Sequence, residues 1–142
     1  MLRSVELSDY MVKHPVTVLP NITIYEAARI ILEHKISGVT VVDEDNNLVG
    51  MLSELDCLRV ILASVYNDEE FGAAIVGDVM STAVETQDAH DDIVDVAASM
   101  LDHKHRRRPV VADGKLVGQV TCRQILRVMV ETGLKDRKPP RL

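Results

Sequence analysis

The chain has 142 residues, 46% hydrophobic and 27% charged, with a formal net charge of −6, no Trp and one Phe. That length sets one compact unit or two small ones, the apolar content excludes a disordered chain, and the negative charge argues against general nucleic-acid binding. No apolar run reaches the ~18–20 residues of a membrane span, no leader-type segment opens the sequence, and Cys57 and Cys122 lack disulfide-framework or metal-ligand spacing; a cytoplasmic protein is the expectation.

In chain order, a short start, Asp9-Tyr10-Met11, leads into an extended stretch containing Thr17. Ile24, Ala27, Ala28, Ile31 and Leu32 then recur at helical spacing, with Asn21 or Thr23 as the cap. Residues 39–42 and 48–52 are apolar and rich in β-branched residues, read as two strands, and are joined by the polar turn 43–47. An amphipathic helix is predicted over 54–65, followed by a connection at 66–74.

The same order then returns. Asp78-Val79-Met80 precedes an extended stretch with Thr86; Ile93, Val96, Ala97, Met100 and Leu101 form a helical stripe behind a cap at Asp91. Strands at 110–111 and 116–120 flank Asp113-Gly114, a hairpin signal, and a last helix is predicted over 122–132, before a basic tail at 135–142 that should fray. A shift of 69 residues superposes Asp9 on Asp78, Met11 on Met80, Thr17 on Thr86, Ile24 on Ile93 and His34-Lys35 on His103-Lys104. After a one-residue gap in the turn, Leu48-Val49-Gly50 matches Leu116-Val117-Gly118. The chain is a tandem duplication, with repeats at 1–65 and 75–134. The fold class is α/β: two βαββα units forming two small sheets covered by helices. A unit of about 60 residues buries little surface alone, so the repeats are expected to pair about a pseudo-twofold axis and share an interior.

Two features carry chemistry. The segment Gly50-Met51-Leu52-Ser53-Glu54-Leu55-Asp56 ends a strand on a hydroxyl and a carboxylate at a helix start, where free N–H groups suit phosphate and a carboxylate can accept two bonds from a vicinal diol. Ser53-x-x-Asp56 and Thr121-x-x-Gln124 also read as capping boxes, which need only stabilise a helix start. The second feature is Lys104-His105-Arg106-Arg107-Arg108, the one dense basic run. Residues 1–69 hold 5 basic and 11 acidic side chains and residues 70–142 hold 11 of each, so this run suits a small anion rather than a polyanion. Guanidinium forks fit phosphate oxygens; a plainer reading leaves two of the three arginines as solvated surface residues. His103 and His105 lack a third ligand for a metal, His34 and His103 sit where helix C-termini favour a cation, and Cys57 reads as a packed thiol. No nucleophile–base pattern or phosphate loop is present, so no catalytic residues, metal or obligatory cofactor are assigned.

These pieces together resemble a CBS-domain pair (a Bateman-type module). The resemblance rests on Asp9-Tyr10-Met11 and Asp78-Val79-Met80, residues 38–43, Arg108-Pro109-Val110-Val111, and the segments opening at Gly50 and Gly118. It implies a non-catalytic regulatory module that binds AMP, ADP or ATP in the cleft between repeats and signals through conformation or a homodimer to a separate protein. Asp56 would hold the ribose, with Ser53 near the sugar or phosphate; Thr17, Ser37, Gly38 and Val39 would form the adenine slot, with Met51, Thr86 and Thr121 in the binding set. Arg106, Arg107 and Arg108 would meet the phosphates. In the second repeat Gln124 stands where the family pattern has the acid, which puts an equivalent ribose grip there in doubt. The alternatives are a dimerising or interaction module without a nucleotide, and a sensor of another adenosyl ligand such as S-adenosylmethionine or a cyclic dinucleotide.

Overall fold

Local rules account for where the helices begin. Thr23 Oγ1 accepts from Glu26 N at 3.1 Å and opens α1 (Ile24–Glu33), which buries Ile24, Ala27 and Ile31. Its counterpart α4 (Ile93–His103) is opened by Asp92, whose carboxylate accepts from Val94 N and Asp95 N. The cap thus lies one residue beyond the expected Asp91. That carboxylate instead accepts from Gln87 Nε2 at 2.6 Å and Asp88 N at 2.9 Å, closing the preceding turn. Asp92 is the residue that the 69-residue shift places on Thr23. His34 Nδ1 and His103 Nδ1 lie 2.9 and 2.8 Å from the carbonyls of Ile30 and Ser99 at the two helix ends, the structural role their position suggested.

The computed structural model describes residues 4–67 and 73–136, with side chains to 133; most of the expected connection at 66–74 and of the tail at 135–142 lies outside the described residues. A 3₁₀ turn at Leu7–Asp9 leads to β1 (Val12–Lys13), β2 (Thr17–Val18) and α1, then to β3 (Gly38–Val42), β4 (Leu48–Ser53) and α2 (Glu54–Tyr66). After α3 (Val76–Val79) come β5 (Gln87–Asp88), α4, β6 (Arg107–Ala112), β7 (Lys115–Thr121) and α5 (Cys122–Asp136). The order β2-α1-β3-β4-α2 is thus repeated as β5-α4-β6-β7-α5, an α/β fold with two small sheets. One sheet runs β2-β3-β4, parallel then antiparallel; the other runs β1-β7-β6-β5.

The chain divides into two units, Pro15–Val84 with Asp113–Leu116, and Met1–His14 with Glu85–Ala112 and Val117–Leu142. The repeats along the sequence and the units in space therefore do not coincide, because the lead segment of each repeat is built into the unit of the other. In the first unit, Val76 is fully buried in the cluster of Ile24, Ile31, Val39, Val41 and Leu52, with Val79 and Met80 packed on it. In the second unit, Leu7 takes the equivalent place among Ile93, Val96, Met100, Val110 and Val120. Burying each such side chain is worth about 1.5–3 kcal/mol.

The exchange explains the Met and Gly positions that recur in both repeats. A Cβ on Gly50 would stand 2.5 Å from Met80 Sδ and 2.9 Å from Ser81 O; one on Gly118 would stand 2.7 Å from Met11 Sδ and 2.8 Å from Val12 O. Met51 bridges to Ser81, and Val12 pairs with Gln119. In the first unit the turn after β3 meets the residues 113–116: Leu48 N donates to Gly114 O, Leu116 N to Asn46 O, and Asn46 Nδ2 to Leu116 O at 2.8 Å. Asp113 and Gly114 have φ of 53° and 78°, as the hairpin signal requires.

Candidate functional site

The β3–β4 pairing brings most of the predicted first-repeat residues to one place. Gly38 pairs with Ser53 where α2 begins, Thr40 pairs with Met51, and Thr17 of β2 pairs with Thr40 from the other side. Cross-strand partners point to the same face, and residues two apart on a strand share it. Thr17, Gly38, Met51 and Ser53 therefore lie on one face of this sheet. Ser37 O accepts from Glu54 N at 2.9 Å, which ties the start of α2 to the residue before β3. Val39 has the opposite parity and is 1% exposed inside the core, so its side chain is packing and cannot line the predicted adenine slot.

Both capping-box bonds exist at the start of α2. Ser53 Oγ accepts from Asp56 N at 3.1 Å, and Asp56 Oδ2 accepts from Ser53 N at 3.0 Å. Asp56 Oδ1 also meets Arg59 Nη1 at 3.3 Å, and the Asp56 side chain keeps 23% exposure. An ionised carboxylate has about four lone-pair sites, and these two partners use half of them. The cap and the ligand readings of Asp56 are chemically compatible. Cys57 beside it is 4% exposed. Burial, and then the charge of Asp56, push its thiol above the usual cysteine range, which makes it an inert packed thiol rather than a nucleophile.

In the second unit the matching start is only half a box. Thr121 Oγ1 accepts from Gln124 N at 3.1 Å, but Gln124 Nε2 turns away to donate to Tyr10 O at 3.0 Å. Arg106 O accepts from Cys122 N at 2.9 Å, the counterpart of Ser37 and Glu54. Arg106 is exposed and Arg107 half-buried. Thr86 borders a cavity of about 290 Å³ lined by Glu85, Gln87, Asp91, Asp95, Val96 and Ser99.

Arg108 corrects the reading of the basic run. It is 1% exposed and stands at the core position that Val39 fills in the first repeat. Its Nη1 donates to Gln87 Oε1 at 2.7 Å and Ser99 Oγ at 2.9 Å, its Nη2 to Ser99 O, and its Nε to His105 Nδ1 at 3.1 Å. Four of five guanidinium donors are thus committed inside the unit, and none of these partners is a carboxylate. A buried charge needs such a set of partners, and Arg108 is a structural cation rather than a phosphate contact. The signal lay in the repeat alignment, which sets Arg108 opposite a valine in an apolar strand. No group of three or more metal-ligating side chains occurs among the described residues, and no helix among them is long and apolar enough to cross a membrane.

Comparison with known proteins agrees with this architecture. The family described as CBS domain matches residues 7–63 and 76–131. The chain is 32% identical over 138 residues to the CBS domain-containing protein CBSX1, chloroplastic, of Arabidopsis thaliana, covering 80% of this chain and 58% of that protein. It is 32% identical over 128 residues to a protein of Methanopyrus kandleri, covering 89% of this chain and 64% of the other; the chain spans less than two thirds of these relatives. Among solved structures, CBSX2 in complex with AMP superposes with a TM-score of 0.80 at 28% identity, over 91% of this chain and 98% of that one. The CBS domain pair of protein MJ0100, in complex with 5′-methylthioadenosine and S-adenosyl-L-methionine, gives 0.74 at 28% identity, over 89% and 97%. With both repeats matched and the βαββα order doubled, the chain belongs to the CBS domain family as a tandem pair.

Proposed function

We propose that this chain is a non-catalytic sensor of an adenine nucleotide, and that the first unit supplies its ribose and base contacts. The observation that carries the reading is the start of α2, where the partly exposed Asp56 carboxylate, with free lone pairs, stands with Ser53 at the end of the same sheet face as Gly38, Met51 and Thr17. The structures of relatives bound to AMP and to S-adenosyl-L-methionine support an adenosyl ligand as the class. Asp56 accepts from the ribose hydroxyls without giving up its cap. Arg108 has no part in it.

Isothermal titration with AMP, ADP, ATP, adenosine and S-adenosylmethionine tests the reading. Asp56→Ala weakens AMP while costing about a cap's worth of stability, ~1 kcal/mol. Affinity for AMP unchanged in Asp56→Ala returns that residue to capping alone. A larger response to S-adenosylmethionine than to any nucleotide favours the second reading, for which the MJ0100 complex is the reason. The signal is proposed to pass through a homodimer formed on α2, whose Leu55, Leu58, Leu62 and Val65 are 50–67% exposed at helical spacing, and onward to a separate protein. Light scattering of Leu58→Glu against the unaltered chain tests the dimer.

A further inference from the structure

The repeat alignment sets Thr40 against Pro109, so the fold does not demand a hydroxyl at this place in the strand. Thr40 is the one polar side chain among Val39, Val41 and Val42 of β3. It is 1% exposed, and its Oγ1 is the buried side-chain polar atom without a hydrogen-bond partner among the described residues. An unsatisfied buried hydroxyl is destabilising, and nothing in the sheet offsets it.

Its position gives the reason. Thr40 pairs with Thr17 on one side and Met51 on the other, and stands two residues along β3 from Gly38, which pairs with Ser53. It therefore shares the face of Thr17, Gly38, Met51 and Ser53, opposite to the face on which Val39, Val41 and Leu52 pack in the core. Two residues of strand are about 6.6 Å, which is the reach from a ribose held at Ser53 and Asp56 to the hydrogen-bonding edge of a purine. Met51, its cross-strand neighbour on this face, is half-buried, and a methionine side chain gives way easily to an incoming ring.

We propose that Thr40 Oγ1 is the hydroxyl that hydrogen-bonds the purine base of the ligand, a specificity contact peculiar to the first repeat. This rests on the nucleotide reading above and deepens it. The unfilled hydrogen bond of the free protein is completed by a ring nitrogen or exocyclic group of the base. A ligand whose base lacks hydrogen-bonding capacity leaves the hydroxyl unsatisfied.

The test uses the full chain and four proteins: unaltered, Thr40→Val, Thr40→Ser and Asp56→Ala. Each is melted without ligand and titrated with AMP and with ribose 5-phosphate. Thr40→Val keeps the shape and removes the hydroxyl; it is expected to melt at or above the unaltered chain and to bind AMP about tenfold more weakly. Thr40→Ser keeps the hydroxyl and stays within about twofold for AMP. Ribose 5-phosphate binds Thr40→Val and the unaltered chain alike. AMP affinity unchanged in Thr40→Val, with Asp56→Ala impaired, overturns the Thr40 contact and leaves the nucleotide reading intact. An equal loss for ribose 5-phosphate overturns the assignment to the base. An unaltered chain that binds none of AMP, ADP or ATP overturns the nucleotide reading, and the Thr40 contact falls with it.

Discussion

Replacing Gly50 by Ala adds one methyl group where the fold has no room for it. The new Cβ would lie 2.5 Å from Met80 Sδ, 2.9 Å from Met80 Cγ and 2.9 Å from Ser81 O. The sulfur can swing aside, because methionine has three rotatable side-chain bonds. The carbonyl cannot retreat so easily. Ser81 O accepts from Met51 N, and Ser81 N donates to Met51 O, both at 2.9 Å. Overpacking of this kind costs about 1–3 kcal/mol, and weakening the two hydrogen bonds adds about 0.5–1.5 kcal/mol each. A total near 3 kcal/mol lowers the melting temperature of a chain this size by about 10 °C. Calorimetry of Gly50→Ala, Met80→Ala and the double variant separates the two obstacles. The double variant recovers the sulfur part and retains the carbonyl part. Gly133→Ala, at a helical position with nothing within 4 Å of the added Cβ, is the control and should gain up to about 1 kcal/mol. A Gly50→Ala protein that melts with the unaltered chain would refute the close approach of the exchanged segment.

Arg108→Val, which copies Val39 of the first repeat, strips the donors from Gln87, Ser99 and His105 and should cost about 3 kcal/mol by chemical denaturation; a neutral result would show that the cluster rearranges freely. In the native protein an aromatic disulfide reagent should react with exposed Cys122 at once and with buried Cys57 only as fast as the structure opens; equal rates would contradict that burial. Asp43 accepts from Asn47 Nδ2 and from the backbone N–H groups of Asn47 and Asp45, and its carboxyl is held below the usual carboxylate range, first by the Asn47 side chain and then by its N–H. A lowered folded value means that this contribution to stability is complete above the unfolded carboxylate range and is lost as pH falls through the lowered value. The melting difference between the unaltered chain and Asp43→Asn should therefore shrink as pH falls below about 5; a difference that stays constant on acidification would sink it.

The order of elements was legible because each depends on spacing within a few residues. The stripe of Ile24, Ala27 and Ile31 and the turn at Asp113-Gly114 announce themselves without any partner. The cap of α4 was misplaced by one residue, since Asp91 and Asp92 are chemically alike and only the turn closed on Gln87 tells them apart. The exchanged lead segments were not legible: Leu7 and Val76 carry a buried apolar side chain in either pairing, and no local pattern says whose core receives it. At the candidate site, the capping box of Ser53 and Asp56 was legible from motif spacing. Arg108 was expected at the phosphates because a run of adjacent cations suggests one anion site, whereas in a strand alternate residues face opposite ways. Thr40 was passed over because one hydroxyl among valines reads as β-propensity.

The interleaving of the two units limits how this protein can be taken apart. A fragment cut to the family-matched residues 7–63 lacks Val76 and Met80, while one cut to 76–131 lacks Leu7 and Met11. Each would leave a hollow in its interior shaped for an arm that went with the other piece. Two such fragments mixed together could regain their native interiors only by complementation, and either alone would be prone to lend its stray arm to a second copy of itself.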